Sequence, residues 1–126
     1  MKRLVISIAL VLLVFGASVF ELLYVCARSD EYADRIDKIE ELIYSGDNST
    51  ALKNCEALEK DWDGESKKIY TLLIHDYVDS VGNCVSKMRS YLENDSLDMY
   101  FAESTGAKKA LASIKGSEYP YYENIL

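Results

Sequence analysis

His75 and Asp79 are the pair in this sequence whose types and spacing could move a proton or hold a cation. At i and i+4 they share one helix face, where an imidazole and a carboxylate can act on the same proton or cation. Asp76 adjoins them, but His75 is the sole histidine and no nucleophile-bearing turn such as G-x-S-x-G accompanies it. A helix-surface or packing role is the stronger reading of both residues. The three cysteines, Cys26, Cys55 and Cys84, form no CxxC and no Cys/His spacing suited to zinc. Cys55 and Cys84 fall on helical apolar rows and read as small buried hydrophobes. With a turn at Gly64, their heights above it differ by ~16 Å, whereas disulfide Cα atoms lie within ~7 Å. No catalytic, cofactor-binding or metal-ligating set emerges.

Recognition is the other chemistry on offer. Tyr119, Tyr121 and Tyr122 crowd the C-terminal segment, followed by Ile125 and Leu126. Tyrosine buries area while keeping a polar handle, which suits a partner-binding tail. The same residues equally fit a terminal segment folded back on the body with Ile125 and Leu126 docked. Trp62, the single tryptophan, reads as a core plug at a hairpin end. Asn48-Ser-Thr50 and Asn94-Asp-Ser96 match the glycosylation sequon, but both sit where helix caps are expected.

The elements that must position these residues begin with a hydrophobic segment. From Leu4 to Phe20 there is no charge, and Glu21 is the one carboxylate before Val25. At ~1.5 Å per residue, Leu4–Val25 is long enough to cross a hydrocarbon core ~30 Å thick. Lys2 and Arg3 precede it, whereas Arg28 is followed by Asp30, Glu31 and Asp34. The positive-inside rule then keeps the N-terminus cytoplasmic and exports the rest. A cleavable signal peptide is the competing reading, with Val25-Cys26-Ala27 as a loose cleavage site and secretion as the result. The apolar stretch exceeds the usual signal core of ~7–15 residues, which favours an uncleaved anchor. Lipidation at Cys26 is a weaker third reading, because Val25 is not small.

The chain carries a net charge of −7, and the acidic excess lies beyond the anchor. Such a body repels phosphate backbones, which excludes nucleic acid as a partner. It should also stand off anionic headgroups. With 126 residues there is room for one domain. The expected organisation is an anchor over 1–27, an exported helical bundle over 28–116 and a Tyr-rich tail over 117–126.

Within the body the apolar residues recur at helical spacing. Tyr32, Ile36, Ile39 and Ile43 mark a first helix, stopped by Ser45-Gly46-Asp47-Asn48, where Gly46 suits the C′ position and Asp47 or Asn48 can cap the next helix. Nothing between Ala17 and Ser45 forces a break, so the anchor can run on into that helix. Ala51, Cys55, Leu58 and Trp62 mark a second helix, expected to end at Asp61–Gly64. A third is expected from about Glu65 to Glu93, with Ile69, Leu73, Tyr77, Val81, Cys84, Met88 and Leu92 in its row. Gly82 interrupts that row at a cost of ~1 kcal/mol relative to alanine. After Asn94-Asp95-Ser96, a fourth carries Leu97, Phe101, Ser104, Ala107, Leu111 and Ile114, ended by Gly116. Short links favour antiparallel neighbours. The fold class is therefore all-α: an N-terminal transmembrane helix followed by a small antiparallel bundle of about four helices.

The stretches MKRLVISIALVLLV, IEELIYSGD, LEKDW, LLIHDYVDSV and YYENIL, in this order and spacing, resemble the domain-of-unknown-function family 4363. The resemblance implies a small single-span bacterial protein with a helical body. It implies no assigned activity and carries over no functional residues. The expectation is a non-enzymatic accessory or scaffold protein in the cell membrane. It would be held by Leu4–Val25 in the bilayer, with an integral membrane or envelope partner. The alternative is an extracytoplasmic ligand- or ion-sensing domain that uses the acidic surface or His75.

Overall fold

The computed structural model describes residues 1–70 and 75–118, the side chains of 117 and 118 excepted. Four helices account for it: α1 (Lys2–Tyr44), α2 (Asn48–Ile69), α3 (His75–Glu93) and α4 (Leu97–Glu118). No strand occurs among the described residues.

α1 is one helix with two characters. Residues 4–20 are exposed on every side, which fits a helix surrounded by lipid rather than by protein. From Val25 a buried row begins: Val25, Ser29, Tyr32, Ile36, Ile39 and Ile43. The steps alternate between four and three residues. The same alternation runs through Ala51, Cys55, Leu58, Trp62, Glu65 and Ile69 on α2, and through Val78, Val81, Val85, Met88 and Leu92 on α3. Tyr100, Ser104, Ala107, Leu111 and Ile114 continue it on α4. A four-three repeat keeps each seam facing its neighbours along the whole length, which is the packing of an antiparallel four-helix bundle. Each helix packs on its two sequence neighbours, α4 closes against α1, and α3–α4 is the most extensive pair. The expected all-α bundle after a long apolar helix is the observed architecture, and α1 passes through residues 27 and 28 without interruption.

Inter-helix ion pairs fix the order of the ring. Arg35 meets Asp61 at 3.0 Å between α1 and α2, and Arg89 meets Glu59 between α2 and α3. Lys87 and Glu103 lie 3.8 Å apart between α3 and α4. Lys108 reaches Asp37 and Glu40 at 3.1 Å, and Lys115 reaches Asp30 at 3.0 Å, between α4 and α1. Exposed pairs of this kind stabilise weakly but disfavour other pairings.

Two helix boundaries differ from the expectation. α2 does not end at Asp61–Gly64 but runs to Ile69, and α3 begins at His75 rather than near Glu65. The buried row of α2 explains this, because Glu65 and Ile69 continue the register of Leu58 and Trp62 while Gly64 falls on the exposed face. Burying Ile69 outweighs the ~1 kcal/mol helix cost of a glycine. In α3 the expected Val81, Met88 and Leu92 are buried, but Val78 and Val85 join them while Tyr77 is exposed and Cys84 half-buried. Leu73 lies outside the described residues. On α4, Tyr100 takes the core position, with Leu97 and Phe101 half-buried beside it, and the helix continues past Gly116 to Glu118.

The two distal turns share one geometry. At the end of α1, Gly46 at φ 86° lets Asp47 N–H donate to the Leu42 carbonyl at 2.9 Å, and Asp47 then caps α2 by accepting from the Thr50 N–H at 3.2 Å. At the end of α3, Asp95 holds the same left-handed position at φ 55°, and Ser96 N–H donates to the Tyr91 carbonyl at 2.8 Å. Gly64 needs no such freedom, since it sits mid-helix and an added Cβ would meet nothing within 4 Å. Gly64→Ala is expected to raise unfolding free energy by ~0.5–1 kcal/mol, read by urea denaturation. An unchanged or lowered midpoint would contradict a continuous α2.

Candidate functional site

An open groove of about 550 Å³ lies between α2 and α3. Trp62 makes its floor. The indole is 3% exposed, stands edge-on to Tyr32 with centroids 4.9 Å apart, and donates from Nε1 to the Val78 carbonyl at 3.3 Å. Trp62 is thus the core plug expected of it, though mid-helix rather than at a hairpin end, and it ties α1, α2 and α3 together. Gly82 packs beside the indole, since the Cβ it lacks would lie 3.6 Å from Trp62 Cδ1 and Nε1. Glu56, Lys60, Asp63, Lys67 and Asp79 stand around the rim, exposed and of both signs. Such a groove suits a small molecule with an apolar body and charged ends.

His75 and Asp79 lie at the start of α3, both exposed. The imidazole rests against Tyr70 with centroids 4.8 Å apart, and Asp79 lines the groove one turn further on. No group of three or more His, Cys, Asp or Glu side chains among the described residues could hold a metal ion. Tyr119, Tyr121, Tyr122, Ile125 and Leu126 lie outside the described residues.

Sequence reasoning missed a buried carboxylate at the lower end of the bundle. Glu65 is 8% exposed. It accepts from the Tyr24 hydroxyl, and Arg28 Nε and Lys68 Nζ each approach within 3.7 Å. Tyr24 and Arg28 lie one helical turn apart at the point where the apolar half of α1 meets the bundle. The signal for Glu65 was the row Trp62, Glu65, Ile69, once Gly64 is read as helical.

The three cysteines are free, and the geometry that keeps Cys55 and Cys84 apart is not the one expected. With α2 running through Gly64 to Ile69, height alone no longer separates Cys55 from Cys84. Their directions do. Cys55 is fully buried in the core, and Cys84 faces α4, its Sγ 3.3 Å from where a Gly106 Cβ would lie. Burial pushes the Cys55 thiol up to about 12. The Cys84 thiol is raised too, by burial and then by neighbouring Glu103. Under a pulse of iodoacetamide at pH 8, Cys55 should label only at denaturant concentrations that unfold the bundle. Mass spectrometry showing early Cys55 labelling would place it outside the core.

Four antiparallel helices on a heptad-spaced core, with the first extended into an apolar helix long enough to cross a membrane, define the class of protein: a small helical bundle on an anchor-length helix. The chain belongs to the family described as Domain of unknown function (DUF4363), matched over residues 19–125. The matched span takes in all of the bundle and starts near the end of the apolar stretch. No curated protein and no solved structure matches the chain.

Proposed function

We propose that this chain is a non-enzymatic accessory protein of the cell membrane. Its anchored bundle would bind an integral membrane or envelope partner outside the cytoplasm. The observation that carries this reading is Val25, which closes the apolar segment and is at the same time 1% exposed in the bundle core. No spacer separates the two, since Val25 lies only ~8 Å along the helix from Phe20. In this reading the bundle would rest at headgroup level, its acidic surface facing away from the lipid. Tyr24, and the Arg28 guanidinium beside Glu65, suit that interface. A rigid, uninterrupted α1 would present the bundle at a fixed height and orientation, which is what a scaffold needs. Lys2 and Arg3 against Asp30, Glu31 and Asp34 support the outward direction. Cleavage after Ala27 would remove Val25 from the core and Tyr24 from Glu65, so the same burial favours a retained anchor over a signal peptide.

The test combines topology with capture. In intact cells, a C-terminal tag should be digested by added protease while the membrane-extracted chain keeps its full mass. Cross-linking followed by purification should enrich one specific membrane or envelope protein. A mature N-terminus at Arg28, a protected tag, or purification with no enriched partner would each count against the proposal. The α2–α3 groove favours a second reading, a ligand-sensing domain. A ligand selective for the folded state must raise the melting temperature, so thermal shift with Ca²⁺, Zn²⁺ and small amino or carboxylic acids discriminates the two.

A further inference from the structure

The membrane-distal tip carries an exposed aromatic stack. Tyr44, the last residue of α1, is 78% exposed and lies nearly parallel to Phe101 of α4, with ring centroids 5.3 Å apart and an interplanar angle of 23°. Tyr44 is the most exposed of the large apolar side chains of the bundle among the described residues. Two carboxylates flank the rings. Glu41 stands three residues before Tyr44, and Asp98 three residues before Phe101, so each shares a helix face with its ring. Lower on the same α1–α4 seam, Asp37, Glu40 and Asp30 are matched by Lys108 and Lys115. Glu41 and Asp98 form no ion pair among the described residues, although both are exposed. Lys108 and Lys115 thus neutralise Asp30, Asp37 and Glu40 lower on the seam, whereas the carboxylates beside the exposed rings have no ion-pair partner among the described residues.

Resting on the accessory role proposed above, we infer that this tip is the partner-docking surface and that its occupant is a cationic polypeptide segment, an arginine or lysine with an apolar neighbour. A guanidinium can lie over the Tyr44 face while hydrogen-bonding to Glu41 or Asp98, and the adjacent apolar side chain covers the ring edge. Rings and carboxylates together select this chemistry. The acids repel a second copy of the same tip and anionic envelope polymers, and an uncharged partner would leave the carboxylates unmatched. The tip stands ~35 Å above Phe20 along α1, clear of the headgroups that would compete for a basic segment.

The experiment uses the full chain in nanodiscs of zwitterionic lipid, titrated with a short arginine-rich peptide bearing one leucine. Tyr44→Ser and the pair Glu41→Gln/Asp98→Asn should each weaken binding by about tenfold, the range of a central interface residue. The pair Glu21→Gln/Asp76→Asn removes the same charge at the membrane-proximal end and should leave binding within about twofold, because distant exposed charges are screened. Circular dichroism confirms that every variant keeps its helices. Equal losses from both charge pairs, a silent Tyr44→Ser, or displacement of the peptide by an uncharged oligosaccharide would overturn the assignment. If cellular capture of a partner survives Tyr44→Ser unchanged, the accessory role stands and the docking face lies elsewhere. If wild-type capture fails as well, the role itself is wrong.

Discussion

Replacing Ala27 with proline is expected to destabilise the bundle by ~3 kcal/mol or more, although the Ala27 side chain is exposed. The effect lies in the backbone. Residue 27 sits inside α1, between the buried Val25 and Ser29. Proline there removes the amide that bonds to the carbonyl of residue 23, and its ring clashes with that carbonyl. The first turn of the bundle core would be lost, and with it the Tyr24–Glu65 contact. For a domain of this size such a loss corresponds to a fall of roughly 10 °C or more in melting temperature. Trp62 is the natural probe, being the single tryptophan and buried in the core, whereas total helicity also counts the apolar half of α1, which lies outside the bundle core. Ala27→Leu, which keeps the amide, should melt within ~1 kcal/mol of the parent. If proline is tolerated as well as leucine, the anchor and the first bundle helix are separate units, and the argument for a fixed presentation height fails.

Continuity of α1 was legible in the sequence because helix-breaking is local. Between Ala17 and Ser45 no proline and no turn cluster interrupts the apolar period. The end of α1 was legible for the same reason, since Gly46 supplies the positive φ that the turn requires. The boundary between α2 and α3 was not. Asp61-Trp62-Asp63-Gly64 has the composition of a turn, and only the tertiary burial of Glu65 and Ile69 holds it helical. Val81, Met88 and Leu92 of the expected α3 row are in the core, but Val78 and Val85 stand there in place of Tyr77 and Cys84. The candidate surfaces were illegible for a related reason. Glu65 looks solvent-facing until α2 is extended past Gly64. The Tyr44–Phe101 stack joins residues far apart in sequence that meet only because α4 closes the ring onto α1. His75 and Asp79, conspicuous by type, proved to be exposed neighbours of a groove rather than its centre.

Alkaline conditions are the second strong lever on this bundle, through three weak acids buried in its core. Burial pushes Cys55 from 9.0 up to about 12 and Tyr32 from 10.0 up to about 12, and it raises Tyr100 well above 10.0, with Cys55 and the Glu40 carboxylate adding to the effect. Each group is neutral in the folded chain and ionises more easily once unfolded. The folded state therefore binds more protons at high pH. Their stabilising contribution is complete below about pH 9 and is lost progressively as pH rises toward the folded values. From the ~1.36 kcal/mol per unit relation, Cys55 alone would remove ~2 kcal/mol of stability by pH 10.5. Tyr100 adds a second consequence. Its side chain is fully buried, and its hydroxyl finds no hydrogen-bond partner among the described residues. An orphaned hydroxyl costs ~1–3 kcal/mol, so Tyr100→Phe, which keeps the ring in place, should leave the protein as stable at pH 7.5 or more so. At pH 10.5 its advantage over the parent should widen, because one ionising group has been removed from the unfolded chain. Urea midpoints followed by Trp62 fluorescence at the two pH values measure both effects. A parent whose midpoint is unchanged to pH 10.5 would mean that water reaches these groups in the folded state. A Tyr100→Phe variant less stable by more than ~1 kcal/mol at pH 7.5 would mean that the hydroxyl has a partner in the core after all.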